Sequence, residues 1–127
     1  MDRVENKIDR VDTRLDQHLQ NIMLMKKSPL SLTPYAMQVL KDIRFESNIF
    51  PKIRDTLLAE LEKHELRTAY DVQEMARYIV KRKRDDVLFD DLKKSVYETG
   101  NNLDEVLAAI FIPLRDYYLE KHPELTS

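Results

Sequence analysis

The chain has 127 residues, a single glycine, no cysteine and a formal net charge of −2, with 35% of its residues charged. That length gives one compact core and excludes a large two-layer enzyme with a deep cleft. The lack of cysteine excludes disulfides, thiolate metal sites and a cysteine nucleophile. The lone glycine excludes a glycine-cradled phosphate loop, and the near-balanced charge gives no global attraction to nucleic acid. No apolar run approaches the ~18 residues of a bilayer span, and the charged N-terminal stretch is unlike a secretory signal. A soluble cytoplasmic protein with no membrane partner and no cofactor is the expectation.

The first stretch has a distinct pattern. Apolar residues stand at Val4, Ile8, Val11, Leu15, Ile22 and Met25, with His18 in the remaining seam position. The gaps alternate four and three, which is the repeat of a coiled-coil seam rather than the broader stripe of a globular helix. Val4, Val11, His18 and Met25 then take d positions, and Ile8, Leu15 and Ile22 take a. So narrow a seam needs a partner helix, and a homo-oligomer supplies one. The predicted helix runs for roughly three and a half heptads, about 37 Å. Lys7 at g and Asp12 at the following e pair best between parallel chains. Asp2, Asp9, Asp12 and Asp16 are weak helix formers, so a lone copy should fray. The alternative is a helix that packs back on its own domain. His18 in a d layer reads as a polar register device rather than a ligand.

Lys26-Lys27-Ser28-Pro29 ends the periodicity, and Pro29 disfavours helix at Ser28. The chain therefore divides into residues 1–27, a coiled-coil oligomerisation helix, and residues 28–127, a helical-bundle domain. Thr33-Pro34 is an N-cap followed by proline at the first helical position, opening a helix that carries Tyr35, Met37, Val39, Leu40 and Ile43. Arg44 to Asn48 is a connector. The next helix places Phe50, Ile53, Leu57, Leu58 and Leu61 on one stripe. Thr68 to Asp71 is a capping box with Asp in place of Glu, and its helix turns Val72, Met75, Ala76, Ile79 and Val80 inward. Asp85 or Asp86 caps a shorter helix with Leu88, Phe89, Leu92 and Val96 inside, and Gly100 ends it in a left-handed conformation.

Asn102 to Glu105 is a second capping box, followed by Leu103, Val106, Leu107, Ile110, Phe111, Leu114 and Tyr118. Pro113 kinks or splits this helix because it lacks an N–H and collides with the carbonyl of Ala109. His122-Pro123 closes it. The predicted fold is all-α with no strands: a coiled-coil helix followed by a compact bundle of five short helices, or six if Pro113 breaks the last.

No constellation of catalytic type is present. His18, His64 and His122 form no two-histidine helical pair, and His64 near Glu60 and Glu65 is a poor ligand set, since zinc needs three or four convergent ligands. Asp85-Asp86 and Asp90-Asp91 suit helix-start capping better than acid–base or magnesium chemistry. No metal site is expected. The most pointed local feature is Lys81-Arg82-Lys83-Arg84, with Arg77 one turn earlier. It could contact phosphates or a protein partner, or simply complement the helix dipole, and the four aspartates that follow partly cancel its field.

Three segments, Ser28-Pro-Leu-Ser-Leu-Thr33, Thr68-Ala-Tyr-Asp-Val-Gln-Glu74 and Leu114-Arg-Asp-Tyr-Tyr-Leu-Glu120, together resemble a group of small bacterial proteins. In that group a variable, often coiled N-terminal segment precedes a helical domain. The resemblance spans roughly residues 28 to 122, implies a recurring module with no assigned activity, and transfers no functional residue. The Lys81–Arg84 run and Pro113 depart from the group's pattern. The number of short helices is also similar to that of death-fold adaptor bundles, an analogy of architecture alone. The sequence thus points to a non-enzymatic oligomeric interaction or adaptor module joined through its N-terminal seam. The alternative is a dimeric nucleic-acid-binding regulator that uses Arg77 and Lys81–Arg84.

Overall fold

The computed structural model of the protein describes residues 17–26 and 29–125. Residues 17–23 are helical (α1), and the chain then becomes extended: β1 (Leu24–Met25) pairs antiparallel with β2 (Ser31–Leu32), Leu24 opposite Leu32 and Met25 opposite Ser31. The expected strandless chain thus contains one two-residue ladder, and the expected seam helix ends before Met25 instead of continuing to Lys26. The reason lies at Thr33. Its N–H donates to the Met23 carbonyl at 3.0 Å and its hydroxyl to the Ile22 carbonyl at 2.8 Å, satisfying the last turn of α1 from outside. Met23 and Leu24 are then buried in the bundle's own core. The expected 27/28 boundary falls on residues outside the described ones, but the described residues on its two sides pair with each other.

The same Thr33 opens α2 (Pro34–Asp42), its Oγ1 accepting from the Ala36 N–H at 3.1 Å while Pro34 fills a first-turn position. Ala36, Val39 and Leu40 face the core, whereas Tyr35 and Met37 are about half exposed. The predicted connector after Arg44 is instead a π-helical turn, Phe45–Ile49. Arg44 enters it in the left-handed region with φ 56°, and the wider winding turns Phe45 and Ile49 inward together.

The remaining helices follow their sequence signals closely. α3 (Phe50–Glu62) buries Ile53, Leu57 and Leu61. α4 (Ala69–Arg82) begins with the capping box: Thr68 Oγ1 accepts from the Asp71 N–H at 3.0 Å and Asp71 Oδ2 from the Thr68 N–H at 3.3 Å. Asp86 caps a 3-10 turn (Val87–Phe89) that leads into α5 (Asp90–Glu98). Gly100, at φ 71°, ends α5 in a Schellman arrangement, with its N–H bonded to the Tyr97 carbonyl and that of Asn101 to the Val96 carbonyl. α6 (Leu103–Leu107) keeps only half of its expected capping box. Asn102 accepts from the Glu105 N–H, but the Glu105 carboxylate accepts instead from the Tyr35 hydroxyl at 3.1 Å.

Pro113 splits the last stripe, as one of the two expected outcomes had it. α7 (Phe111–Lys121) starts two residues before the proline, so Pro113 sits in a first turn, where its missing N–H leaves no gap in the ladder. Six helices from α2 to α7 therefore share one core, centred on Phe45, Phe89 and Phe111, and α4 against α7 is its most extensive helix pair. No described helix is long and apolar enough to cross a membrane.

Two outcomes follow from this packing. Thr33→Ala removes both the cap of α2 and the bond to Ile22, and should cost about 2 kcal/mol, read from urea midpoints at unchanged slope. Burial, reinforced by the nearby charges of Glu62 and Glu124, pushes the Tyr118 hydroxyl above the ordinary tyrosine value. Its folded pKa therefore exceeds its unfolded one, so this stabilisation is complete below about pH 10 and is lost as pH rises through the folded value. Urea titrations between neutral and strongly alkaline pH should show a shallower alkaline decline in Tyr118→Phe than in the parent.

Candidate functional site

α7 buries Phe111, Ile112, Leu114 and Tyr118 and exposes Asp116 and Glu120, so a charged residue in the middle of its inner face is shut off from solvent. Arg115 occupies that place and is only 6% exposed. Its Nη1 donates to the Leu30 carbonyl at 2.7 Å and to Gln73 Oε1 at 2.8 Å, while Nε donates to Asp116 Oδ1 at 2.9 Å. Nη2 lies 2.8 Å from the same carboxylate oxygen. Gln73, itself buried on α4, passes the chain of contacts outward by donating to Glu74 Oε2 at 3.2 Å. Desolvating a guanidinium is costly, and these acceptors are what make its burial tolerable.

Around this polar floor, α4, α7 and the residues Gln20, Lys26, Pro29 and Leu30 border a cleft of about 750 Å³. Its walls combine Leu30, Leu119 and the exposed Tyr70 with Glu74, Arg77 and Lys26. The volume is within the range of small-ligand sites, and the lining, mainly apolar with a few convergent polar groups, is of the same kind.

The candidate residues from the sequence fall in three places. Val4, Ile8, Val11 and Leu15 of the seam lie outside the described residues; His18 is exposed, and Ile22 and Met25 are half-buried. The five cations do not form one stripe. Arg77 lines the cleft, stacked over the Phe111 ring at 4.9 Å. Lys83 lies 4.0 Å from Glu60 of α3 and 3.7 Å from Asp86, and Arg84 pairs with Asp104 of α6. Lys81 and Arg82 are exposed at the end of α4. Glu60 responds to this neighbourhood: its hydrogen bond to Lys63 and the charge of that lysine, with smaller contributions from Lys83 and Arg82, hold its carboxyl below the ordinary value.

Of the paired aspartates, Asp86 caps the 3-10 turn and Asp91 meets Lys52 at 3.1 Å. His64 is exposed, and among the described residues no three metal-ligating side chains converge. Sequence reasoning passed over Arg115 and Gln73. The available signal was an arginine directly after the apolar run Phe111–Leu114, one residue out from the predicted inward stripe. No family model, curated protein or solved structure matches this chain.

The Arg115–Gln73 bond can be isolated by a double-mutant cycle. Arg115→Met and Gln73→Leu should each destabilise by roughly 2–3 kcal/mol, because each leaves a buried polar group unmatched. The double variant should fall short of the sum by about 1–2 kcal/mol in urea denaturation.

Proposed function

We propose that this chain is a non-enzymatic protein-interaction module that self-associates through the seam of residues 4–22. The supporting observation is the way the described end of that seam is mounted. Met23 and Leu24 insert into the core, whereas His18, a d residue of the seam, is exposed and Ile22 is only half-buried. A helix that folded back to bury its seam on its own domain would turn the His18 face inward. Here the bundle grips Met23 and Leu24 and touches Ile22, while His18, one turn earlier, stays exposed and available to a second helix. An oligomer built this way presents several copies of the bundle and its cleft at once, raising avidity without new contacts.

The nucleic-acid alternative has less support, because Lys83 and Arg84 are matched by Glu60, Asp86 and Asp104, and Arg77 faces the cleft. A phosphate-binding stripe needs its cations free to replace counterions along one face.

Light scattering tests the reading on the full chain and on an Ile8→Asp/Leu15→Asp variant. Substitution is cleaner than truncation at residue 28, which would also delete Met23 and Leu24 from the core. The full chain should have a mass that is a multiple of 15.1 kDa, and the variant should fall to 15.1 kDa with its helicity retained. A full chain of 15.1 kDa would contradict the proposal.

A further inference from the structure

We infer that the cleft between α4 and α7 is a binding site for a carboxylate carried on an apolar body, with Arg77 as its anchor. The argument begins from an imbalance between two arginines. Arg115, on the floor, has acceptors from Leu30, Gln73 and Asp116. Arg77, on the wall, has a side chain only 23% exposed, and its Nε is fully buried without a hydrogen-bond partner. Its Nη1 forms an ion pair with Glu74 Oε1 at 3.6 Å, too long for a hydrogen bond. The Phe111 ring supports the face of the cation but accepts no N–H in its plane. A buried guanidinium Nε–H without an acceptor is an arrangement that native cores avoid unless something supplies one.

The rest of the cleft specifies what that acceptor is attached to. Asp116 is committed to Arg115, and Glu74, which accepts from Gln73 through Oε2, meets Arg77 Nη1 through Oε1, so neither carboxylate hydrogen-bonds the Arg77 Nε–H. Lys26, at the rim, adds a cation with no ion pair among the described residues. Unmatched charge in the cleft is therefore positive. A guanidinium fork matches the two oxygens of a carboxylate, and the nearness of Glu74 disfavours a dianion such as phosphate. Leu30, Leu119 and Tyr70 offer apolar surface to the remainder of the ligand, in a volume of about 750 Å³. A free organic acid and an acidic side chain flanked by apolar residues share this chemistry. The inference is independent of the seam, since binding is measured in whatever oligomeric state the full chain adopts.

The test titrates isotope-labelled full chain with 4-phenylbutyrate, with 4-phenylbutyramide and with N-acetyl-Leu-Glu-Leu-amide, following the arginine Nε–H signals and the amides of Gln73, Glu74 and Leu119 by NMR. Saturable shifts are expected at these positions with the acid, and binding of the neutral amide should be weaker by about tenfold or more. Whichever of the acid and the tripeptide binds more tightly identifies the source as a free acid or a protein segment. Arg77→Met should abolish binding without lowering the melting temperature, since it removes an unmatched donor and keeps an apolar stem over Phe111. Arg77→Lys, which keeps the charge but loses the fork, should bind about tenfold more weakly. Equal responses to acid and amide, shifts confined to other surfaces, or no response by about 20 mM overturn the inference. So does a lowered melting temperature in Arg77→Met, which would show that Glu74 and Phe111 already satisfy the guanidinium.

Discussion

A guanidinium enters a helical core only where the fold can bring acceptors to it, and in this protein Asp116 is at hand while the two other acceptors for Arg115 come from distant parts of the chain. The Leu30 carbonyl is 85 positions away and Gln73 is 42. One side chain on α7 therefore joins the last helix to α4 and to the extended stretch that precedes α2. Those three pieces are also the walls of the cleft, so the bond that stabilises the arrangement also shapes the surface available to a ligand.

Charge is distributed by the same logic elsewhere. The basic run at the end of α4 looks like a patch when read as a string, because its neighbours in sequence are the only neighbours visible. In the fold its members meet carboxylates from other helices, Glu60 for Lys83 and Asp104 for Arg84, and the local positive field is dispersed. These partly exposed pairs contribute little to stability, but they decide which cations remain available for recognition. Arg77 differs from the others because its Nε is fully buried without a hydrogen-bond partner.

What could be read from the sequence was local. Thr33 before Pro34, the Thr68–Asp71 box and Gly100 act over three or four residues, and each marks its helix end as predicted. Apolar periodicity likewise located the inner faces of α3 and α4. The misses were all set by partners remote in sequence. The π-turn at Phe45–Ile49 exists because Phe45 and Ile49 both have core sites to fill, and the β1–β2 pair because Thr33 reaches back to Met23. Glu105 left its predicted capping role for Tyr35. Arg115 and Gln73 were hidden for the same reason: a buried polar pair has no periodic signature, only a polar residue where the pattern calls for an apolar one.

The most direct test of Arg115 as the tie between the N-terminal stretch and the bundle is native-state amide hydrogen exchange in Arg115→Met against the parent protein. The Thr33 amide, bonded to the Met23 carbonyl, and the Ala36 amide, bonded to Thr33, report on that stretch. Both should lose protection well beyond amides in the interior of α3, because the stretch opens locally once its anchor is gone. Equal loss across all of these amides, or none at Thr33, would show that the hydrophobic contacts of Met23 and Leu24 hold the segment without Arg115.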